Sequence, residues 1–440
     1  MGIKPKLRTF DLSMIVVSLV IGIGIFRTPT LVAQSAQTPF IFFMAWILGG
    51  LVSICGALTF AEIGSRYPVP GGFYKIFSHC YHPVYAFMIN WVLLLTYGAG
   101  AAGVTIIGVE YIMPIILPHS TDNQNVVNSI VVGIILILGV LNFLGIKTGA
   151  RTQNLLSLVK IIMIVGLCFA VFSPAKSNPE IKFDATDFSF IQAMGISLIA
   201  VFYTYGGYQQ TMNFGGDIQD PKRSIPRGII IGISIIISLY LTLNYAYFNV
   251  LGFQGLVNSK LIASELAGAI FGNYGSNFIS IGIFLSVLGF ANVTIMSNPR
   301  VYYAMAEDKI LPPIFKKVNE KTQTQEFALI FFITIIVLSV FLLGTFEKIV
   351  SYVMAIDSIA LATACATVFV LRKRAGKNDS HDGYKLPFYP LLPIIFIVFL
   401  LMVTINVFKS DTIPALIGIG LLFAGWPLYY LLKKFYPNNN

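Results

Sequence analysis

The sequence predicts an all-α integral membrane protein of twelve transmembrane helices. Five plus five form an inverted repeat with helices 1 and 6 broken, and two more helices follow at the C-terminal end. Three observations predict it. Of 440 residues, 56% are hydrophobic and 11% charged, and mean hydropathy is +0.80. That balance excludes an ordinary soluble enzyme. Apolar runs of membrane length recur about twelve times. Two of them, the first and the sixth, are interrupted by glycine pairs about 180 residues apart, at Gly22-Ile23-Gly24-Ile25-Phe26 and Tyr205-Gly206-Gly207-Tyr208.

The runs cover residues 12–34, 40–66, 83–116, 126–146, 152–173, 188–214, 226–252, 274–305, 326–345, 348–372, 387–408 and 412–433. The third and eighth are long enough to tilt strongly or to run past the bilayer. With five spans per half, the second half sits upside down relative to the first, a pattern of many secondary transporters. Residues 1–173 are then the first repeat (spans 1–5) and 174–375 the second (spans 6–10). Residues 376–440 hold spans 11 and 12 and a short cytoplasmic tail.

Charge sets the expected orientation. With the N-terminus inside, 22 of the 29 Lys and Arg fall on the cytoplasmic side, among them Lys4, Lys6, Arg8, Lys222, Arg223, Arg227, Lys316, Lys317, Arg372, Lys373 and Arg374. Six lie outside: Arg27, Lys176, Lys182, Lys260, Lys348 and Lys409. Lys160 falls within a span. The bias places both termini in the cytoplasm and the protein in the plasma (inner) membrane of its cell. The net charge of +10 is spread between the apolar runs, so nucleic acid is not an expected partner. The run after Arg8 leads through Arg27 into a second apolar span with no small-residue cleavage site, which argues against a cleaved signal peptide. The longest outer loop is about 174–187, and the inner connections at 214–226, 306–325 and 373–386 are short and charged. Cys55, Cys80, Cys168 and Cys365 show neither metal nor disulfide spacing, and His79, His82, His119 and His381 lie in loops or at span ends. No metal and no cofactor is expected.

The breaks carry the chemistry. Glycine weakens a helix interior by about 1 kcal/mol relative to alanine, and the bilayer supplies no water to satisfy freed backbone groups. Unwinding around Gly22–Gly24 creates a helix N-terminus near Ile25, with free amides and partial positive charge suited to a carboxylate. Unwinding around Gly206–Gly207 does the same and frees the carbonyls of Tyr203 and Thr204, natural acceptors for an α-ammonium. Together the breaks hold a zwitterion with no charged side chain, which at this depth would cost about 2.5–3.5 kcal/mol. Taken singly, each glycine pair reads as close helix packing; two in matching positions read as a binding site. Of the aromatics beside the second break, Tyr203 is the candidate lid over a ligand.

Several motifs now line up. Gly22-Ile23-Gly24-Ile25-Phe26 with Pro29 resembles the G-S-G-I-F of the first span in the amino acid–polyamine–organocation (APC) superfamily, within it the L-type amino acid transporter-like permeases. Glu62, Pro68, Gly71, Gly72 and Tyr74 match the end of the family's second span. Tyr205-Gly206-Gly207-Tyr208-Gln209 resembles its Y-G-G-W-N. Asp220-Pro221-Lys222-Arg223 with Ile225-Pro226 matches the following inner loop, and Arg300, Ala304, Met305, Asp308 and Pro312 match the end of span 8. The resemblance covers nearly the whole chain. It implies the LeuT-like fold and amino acid transport by alternating access, with the carboxylate on the amides of Ile23, Gly24 and Ile25. It puts the ammonium on carbonyls near Ile21, Tyr203 and Gly206, and makes Tyr203 an aromatic gate. The departures are informative. Ile23 replaces a frequent Ser, which leaves backbone amides as the main carboxylate donors. Gln209 replaces Asn, and a Glu stands there in arginine antiporters of the superfamily, so a cationic substrate is disfavoured. Gly215-Gly216-Asp217 lacks the usual adjacent Glu pair, which puts the inner-gate ion pair in question. Pro299 stands where Ser is frequent.

Charges at membrane depth come last. Lys160 either snorkels to the cytoplasmic surface or, as the resemblance implies, holds its ammonium where sodium-coupled relatives of the fold hold sodium. There it would bond carbonyls of span 1 and a polar group of span 8 such as Ser286 or Asn292. Asp357, mid-span, is a possible proton site, and Glu110 reads as a carboxylate paired within the bundle. Glu62 reads as an inner-surface gate or packing element. Arg27 either attracts carboxylates into the outer vestibule or sits at the interface. The expected function is secondary active transport of neutral L-amino acids, as a sodium-independent exchanger; proton-coupled symport and facilitated carriage are the alternatives. A channel or non-transporting role lacks the expected polar file, and no enzyme motif is present. The small-molecule amino acid and the lipid bilayer are the expected partners. Several neutral amino acids and more than one oligomeric state fit the same sequence.

Overall fold

The computed structural model describes residues 6–69, 71–120, 123–174, 190–259, 261–343, 346–376, 381–410 and 412–435. Lys4, Lys176, Lys182, Lys260, most of the 174–187 loop and the last five residues of the tail lie outside the described residues. The described chain is helical apart from one isolated bridge between Leu7 and Ile218.

The first apolar run is two helices, α1 (Thr9–Val20) and α2 (Gly24–Ala36), bent 43° from one another. Every residue of α1 from Leu12 to Val20 is buried. A helix apolar and buried all round belongs in the middle of a bundle, and α1 packs there against the helices Ile146–Cys168 (α7), Pro221–Asn258 (α9) and Ile262–Ser297 (α10). Between these come α3 (Pro39–Arg66), α4 (Gly72–Cys80), α5 (Pro83–Ile116), α6 (Gln124–Phe143) and α8 (Phe190–Tyr205). The rest are α11 (Pro299–Glu307), α12 (Glu326–Leu343), α13 (Phe346–Ala375), α14 (Leu391–Ser410) and α15 (Thr412–Phe435).

The starts are written locally. Thr38 caps α3 by accepting from the Ile41 amide at 3.1 Å, with Pro39 at the first helical position, and His82 with Pro83 opens α5 in the same way. Among the described residues, nine helices are long and apolar enough to cross a membrane, or ten with the bent α1–α2 pair. On α14 and α15, Leu391, Val398, Leu401, Ile405, Leu416 and Phe423 are exposed, as lipid-facing residues are.

Three elements differ from the sequence expectation. The 214–226 connection is shorter, because Pro221 takes the first position of α9 and starts that helix five residues early. The eighth run is preceded by helix from Ile262, bent at Gly272 (φ +65°), and is followed by a separate helix that Pro299 opens. After the second glycine break no α-helix resumes; the chain takes a 3-10 turn over Tyr208–Asn213. Thr211 Oγ1 donates to the Tyr208 carbonyl at 2.6 Å there, a local bond that competes with α-helix.

Candidate functional site

At the first break the backbone changes hand-holds. Ile21 leaves the helix (φ −75°, ψ +84°), and its amide closes on the Val17 carbonyl at 2.8 Å. The next regular bond is Phe26 N–H to the Ile23 carbonyl at 3.0 Å. Between them the amides of Ile23, Gly24 and Ile25 have no backbone acceptor among the described residues. They sit at the N-terminus of α2, where the helix dipole adds partial positive charge.

The carbonyl end of α1 is, by contrast, already engaged. Lys160, on α7 and fully buried, donates from Nζ to the carbonyls of Ile21 (2.6 Å) and Ser18 (3.2 Å). Tyr240 Oη donates to the Val20 carbonyl at 3.1 Å. The ammonium therefore caps the negative end of the helix dipole. Ser18 is held further by Ser157, whose hydroxyl lies 3.0 Å from it. Neither span 8 residue named for Lys160 bonds it. Asn292 joins Asn142 and Gln153, each at 2.8 Å, and Ser286 Oγ is buried without a partner. From α10 it is Gly289 that admits the lysine, since a Cβ there would stand 2.8 Å from Cε and 3.1 Å from Nζ.

The second break packs against α1. Gly207 (φ +120°) lies against the Leu19 carbonyl so tightly that a Cβ would overlap it. Its amide is taken by Gln209 Oε1 at 2.9 Å, so this glutamine, expected to face a ligand, caps its own loop. The Gly206 amide turns back to the Tyr203 carbonyl at 3.2 Å, while the Thr204 carbonyl has no backbone donor among the described residues. The two breaks meet at Gly24 and Thr204: a Cβ on Gly24 would stand 3.0 Å from Thr204 Cγ2. Thr204 Oγ1 itself is tied to the Ala200 carbonyl at 2.9 Å. The Tyr203 ring stacks edge-on to Phe202, 5.8 Å between centres, among Phe399, Val403, Val407 and Ala415 of α14 and α15.

Sequence reading missed Phe290 of α10, whose ring a Cβ on Gly22 would meet at 3.7 Å. Nothing marks one phenylalanine among 36. It also missed the partner of Asp217, which pairs with Arg300 in a buried ion pair. The Asp217 carbonyl in addition accepts the amides of Lys6 and Leu7 at 2.7 and 2.8 Å, pinning the N-terminal strap beneath the breaks. Glu62 is held by Arg66 (2.5 Å), by Arg372 (2.6 and 2.8 Å) and by the Leu386 amide (2.7 Å). Asp308 takes Tyr74 Oη at 2.8 Å and Lys75 at 2.5 Å. Three ionic clusters thus tie the ends of α3, α4, α11 and α13 and the loop before α9. Asp357 Oδ1 is buried on α13 with no hydrogen-bond partner, and Glu110 stands exposed near the end of α5.

A multi-pass helical membrane protein with a broken first span, buried from Leu12 to Val20, and two apposed glycine breaks is a recognisable class. The chain belongs to the amino acid permease family of the APC superfamily, whose profile matches residues 7–431. It is 30% identical over 437 residues to the serine/threonine exchanger SteT of Bacillus subtilis (strain 168), covering 98% of each chain. It is 26% identical to the cystine/glutamate transporter of Homo sapiens, over 98% of this chain and 85% of that one. It is 24% identical to the large neutral amino acids transporter small subunit 2 of Mus musculus, over 98% of this chain and 81% of that one. These relatives are transporters, not enzymes.

Proposed function

We propose that this chain is a secondary active transporter of neutral L-amino acids, working by alternating access as a sodium-independent exchanger. It has twelve spans, a LeuT-like five-plus-five inverted repeat over residues 1–173 and 174–375, and both termini in the cytoplasm of a cell whose plasma membrane it crosses. The observation that carries the reading is the run of three unengaged amides, Ile23, Gly24 and Ile25, with Thr204, whose carbonyl has no backbone donor among the described residues, packed on Gly24. A carboxylate fits the first and an ammonium the second. Ile21 and Tyr203 each offer the ammonium a remaining lone pair, since a carbonyl oxygen accepts twice. Gly22 and Gly206 keep the ligand close to backbone, while Gly207 and Gln209 shape the wall behind it.

Exchange is supported by the relative named as a serine/threonine exchanger, and neutral selectivity by the neutral residues around both breaks. Lys160 supplies a fixed cation at the end of α1, so no bound sodium is required there. Tyr203 acts as the gate by leaving its seat on α14. Purified protein in liposomes loaded with a panel of unlabelled amino acids tests the whole reading: labelled neutral amino acid enters only against a loaded partner, and replacing sodium by choline changes nothing. Entry that collapses in choline, or that no amino acid drives, refutes it.

The buried, unpartnered Oδ1 of Asp357 favours a second reading, proton-coupled symport. Under it, Asp357→Asn flattens the pH dependence of uptake; an unchanged profile removes Asp357 from any proton path.

A further inference from the structure

Another glycine pair, Gly49-Gly50, breaks nothing: α3 runs through it from Pro39 to Arg66. Its use is closeness. A Cβ on Gly49 would overlap Val201, and one on Gly50 would stand 3.6 Å from Tyr205 Oη, so the pair lets α8 lie against α3. It admits the ring of Tyr205, which packs on Trp46, one turn back on α3. Tyr240 of α9 completes a triangle. Ring centres are 5.8 Å apart for Trp46–Tyr205, 6.1 Å for Trp46–Tyr240 and 5.3 Å for Tyr205–Tyr240, the first two edge-on. All fall within the ~4.5–7 Å of favourable aromatic pairs, and all three side chains are fully buried.

The triangle stands between the two breaks. Tyr205 is the last residue of α8, where the second break begins. Val20 is the last residue of α1, where the first begins, and its carbonyl accepts the Tyr240 hydroxyl at 3.1 Å. The same oxygen accepts the Gly22 amide at 2.8 Å, in the turn that opens the first break. A carbonyl accepts twice, so Tyr240 pins that turn without undoing it. The ends of both half-helices are thus joined through one pair of rings, with Trp46 against each. Tyr205 Oη lies 3.5 Å from the Trp46 carbonyl, long for a hydroxyl bond, so its ring rather than its hydroxyl is engaged. Trp46 Nε1 is buried without a hydrogen-bond partner; ring contacts hold that indole in place.

We propose that Trp46, Tyr205 and Tyr240 are positioning residues that fix the spacing of the two breaks, and with it the fit of an amino acid across them, Tyr240 acting through the Val20 carbonyl. This rests on the reading that the substrate bridges the amides of the first break and the Thr204 carbonyl. Thr204 directly precedes Tyr205, so moving that ring moves one ligand contact relative to the other. The rings act through the backbone of α1 and α8. Their other corners lie on α3 and α9, which ties the geometry of the site to those two helices.

Two measurements on the purified full chain test it, with whichever of L-serine and L-leucine the wild type takes up. In liposomes, Tyr240→Phe keeps the triangle and removes one hydroxyl. It raises KM by about threefold to tenfold, the worth of one hydrogen bond, while the maximal exchange rate stays within about twofold, as when only binding is lost. Tyr247→Phe, two turns further along α9, removes a buried hydroxyl that has no partner and leaves KM unchanged. A packing role alone would move neither KM. The second measurement reads Trp46 itself. Trp91→Phe with Trp426→Phe leaves it the sole indole of three; substrate changes its emission, and Gly24→Val abolishes that change. A wild-type KM in Tyr240→Phe overturns the proposal, as does a silent Trp46 in a chain that still transports. Should Tyr240→Phe fail to fold, the Trp46 signal decides alone. A wild type that transports no amino acid refutes the transport reading and this proposal with it.

Discussion

The two glycine breaks look alike in sequence and differ in what their backbone does. At the first, α2 starts afresh and leaves three amides without acceptors, while Lys160 and Tyr240 take the carbonyls behind them. At the second, Gln209 takes the Gly207 amide, Gly206 folds back on Tyr203, and Gly207 is wedged on the Leu19 carbonyl, while the amides of Tyr208 and Gln209 have no backbone acceptor among the described residues. The first break therefore leaves three amides open at a helix N-terminus, and the second leaves two beside an amide that its own side chain caps. Under the proposed function the two interruptions divide the labour: the first takes the carboxylate, and the second forms the wall beside it.

That division makes ordered predictions. Gly24→Val gives the largest effect. Its branched side chain meets Thr204 and covers the free amides, and uptake falls by roughly a thousandfold, as expected when the main charge-assisted contacts are lost. Radiolabelled uptake in liposomes measures it, and retained wild-type affinity breaks the comparison at its root. Lys160→Met comes next. It leaves the Ile21 and Ser18 carbonyls buried without their donor, and each such group costs about 1–3 kcal/mol. Uptake drops about tenfold to a hundredfold with a lower Tm. A variant that becomes sodium-dependent would sharpen the account, whereas full activity without sodium would remove the lysine from the first break's design. Gln209→Leu is smaller. It strands the Gly207 amide at about 1–3 kcal/mol and lowers Tm. Gln209→Glu, which keeps an acceptor at the same reach, recovers that stability. If both variants behave alike, Gln209 is not the cap. Tyr203→Ala is smallest at equilibrium: affinity shifts by less than about threefold while the exchange rate rises or falls, because the ring packs in the cluster with Phe399, Val403 and Val407 and acts as a gate rather than a ligand. A large loss of affinity would place the ring on the ligand after all.

How far this was legible from sequence depends on the range of each interaction. The first break was readable because glycine spacing and the polarity of helix ends are local. So were the starts of α3 and α5, each written as a capping side chain followed by proline. The ionic clusters were not. Asp217 and Arg300 are 83 positions apart and Glu62 and Arg372 are 310 apart, so only the fold brings them together. Gln209 was misread for a different reason. A glutamine beside a break has two uses, ligand or cap, and only the positive φ of Gly207, which turns its amide toward the side chain, selects between them. The bend at Gly272 lies just ahead of the eighth apolar run, in a stretch that also holds Gly268 and Gly275, so no single glycine marks it.

The central claim is that the first break binds the substrate carboxylate through main-chain amides. A structure of the full chain in lipid nanodiscs with bound L-leucine or L-serine tests it most directly. The account predicts carboxylate oxygens within about 3.2 Å of the Ile23, Gly24 and Ile25 nitrogens, with the ammonium on the Thr204 side. A ligand whose carboxylate rests on side chains alone, with those three amides unoccupied, would contradict it.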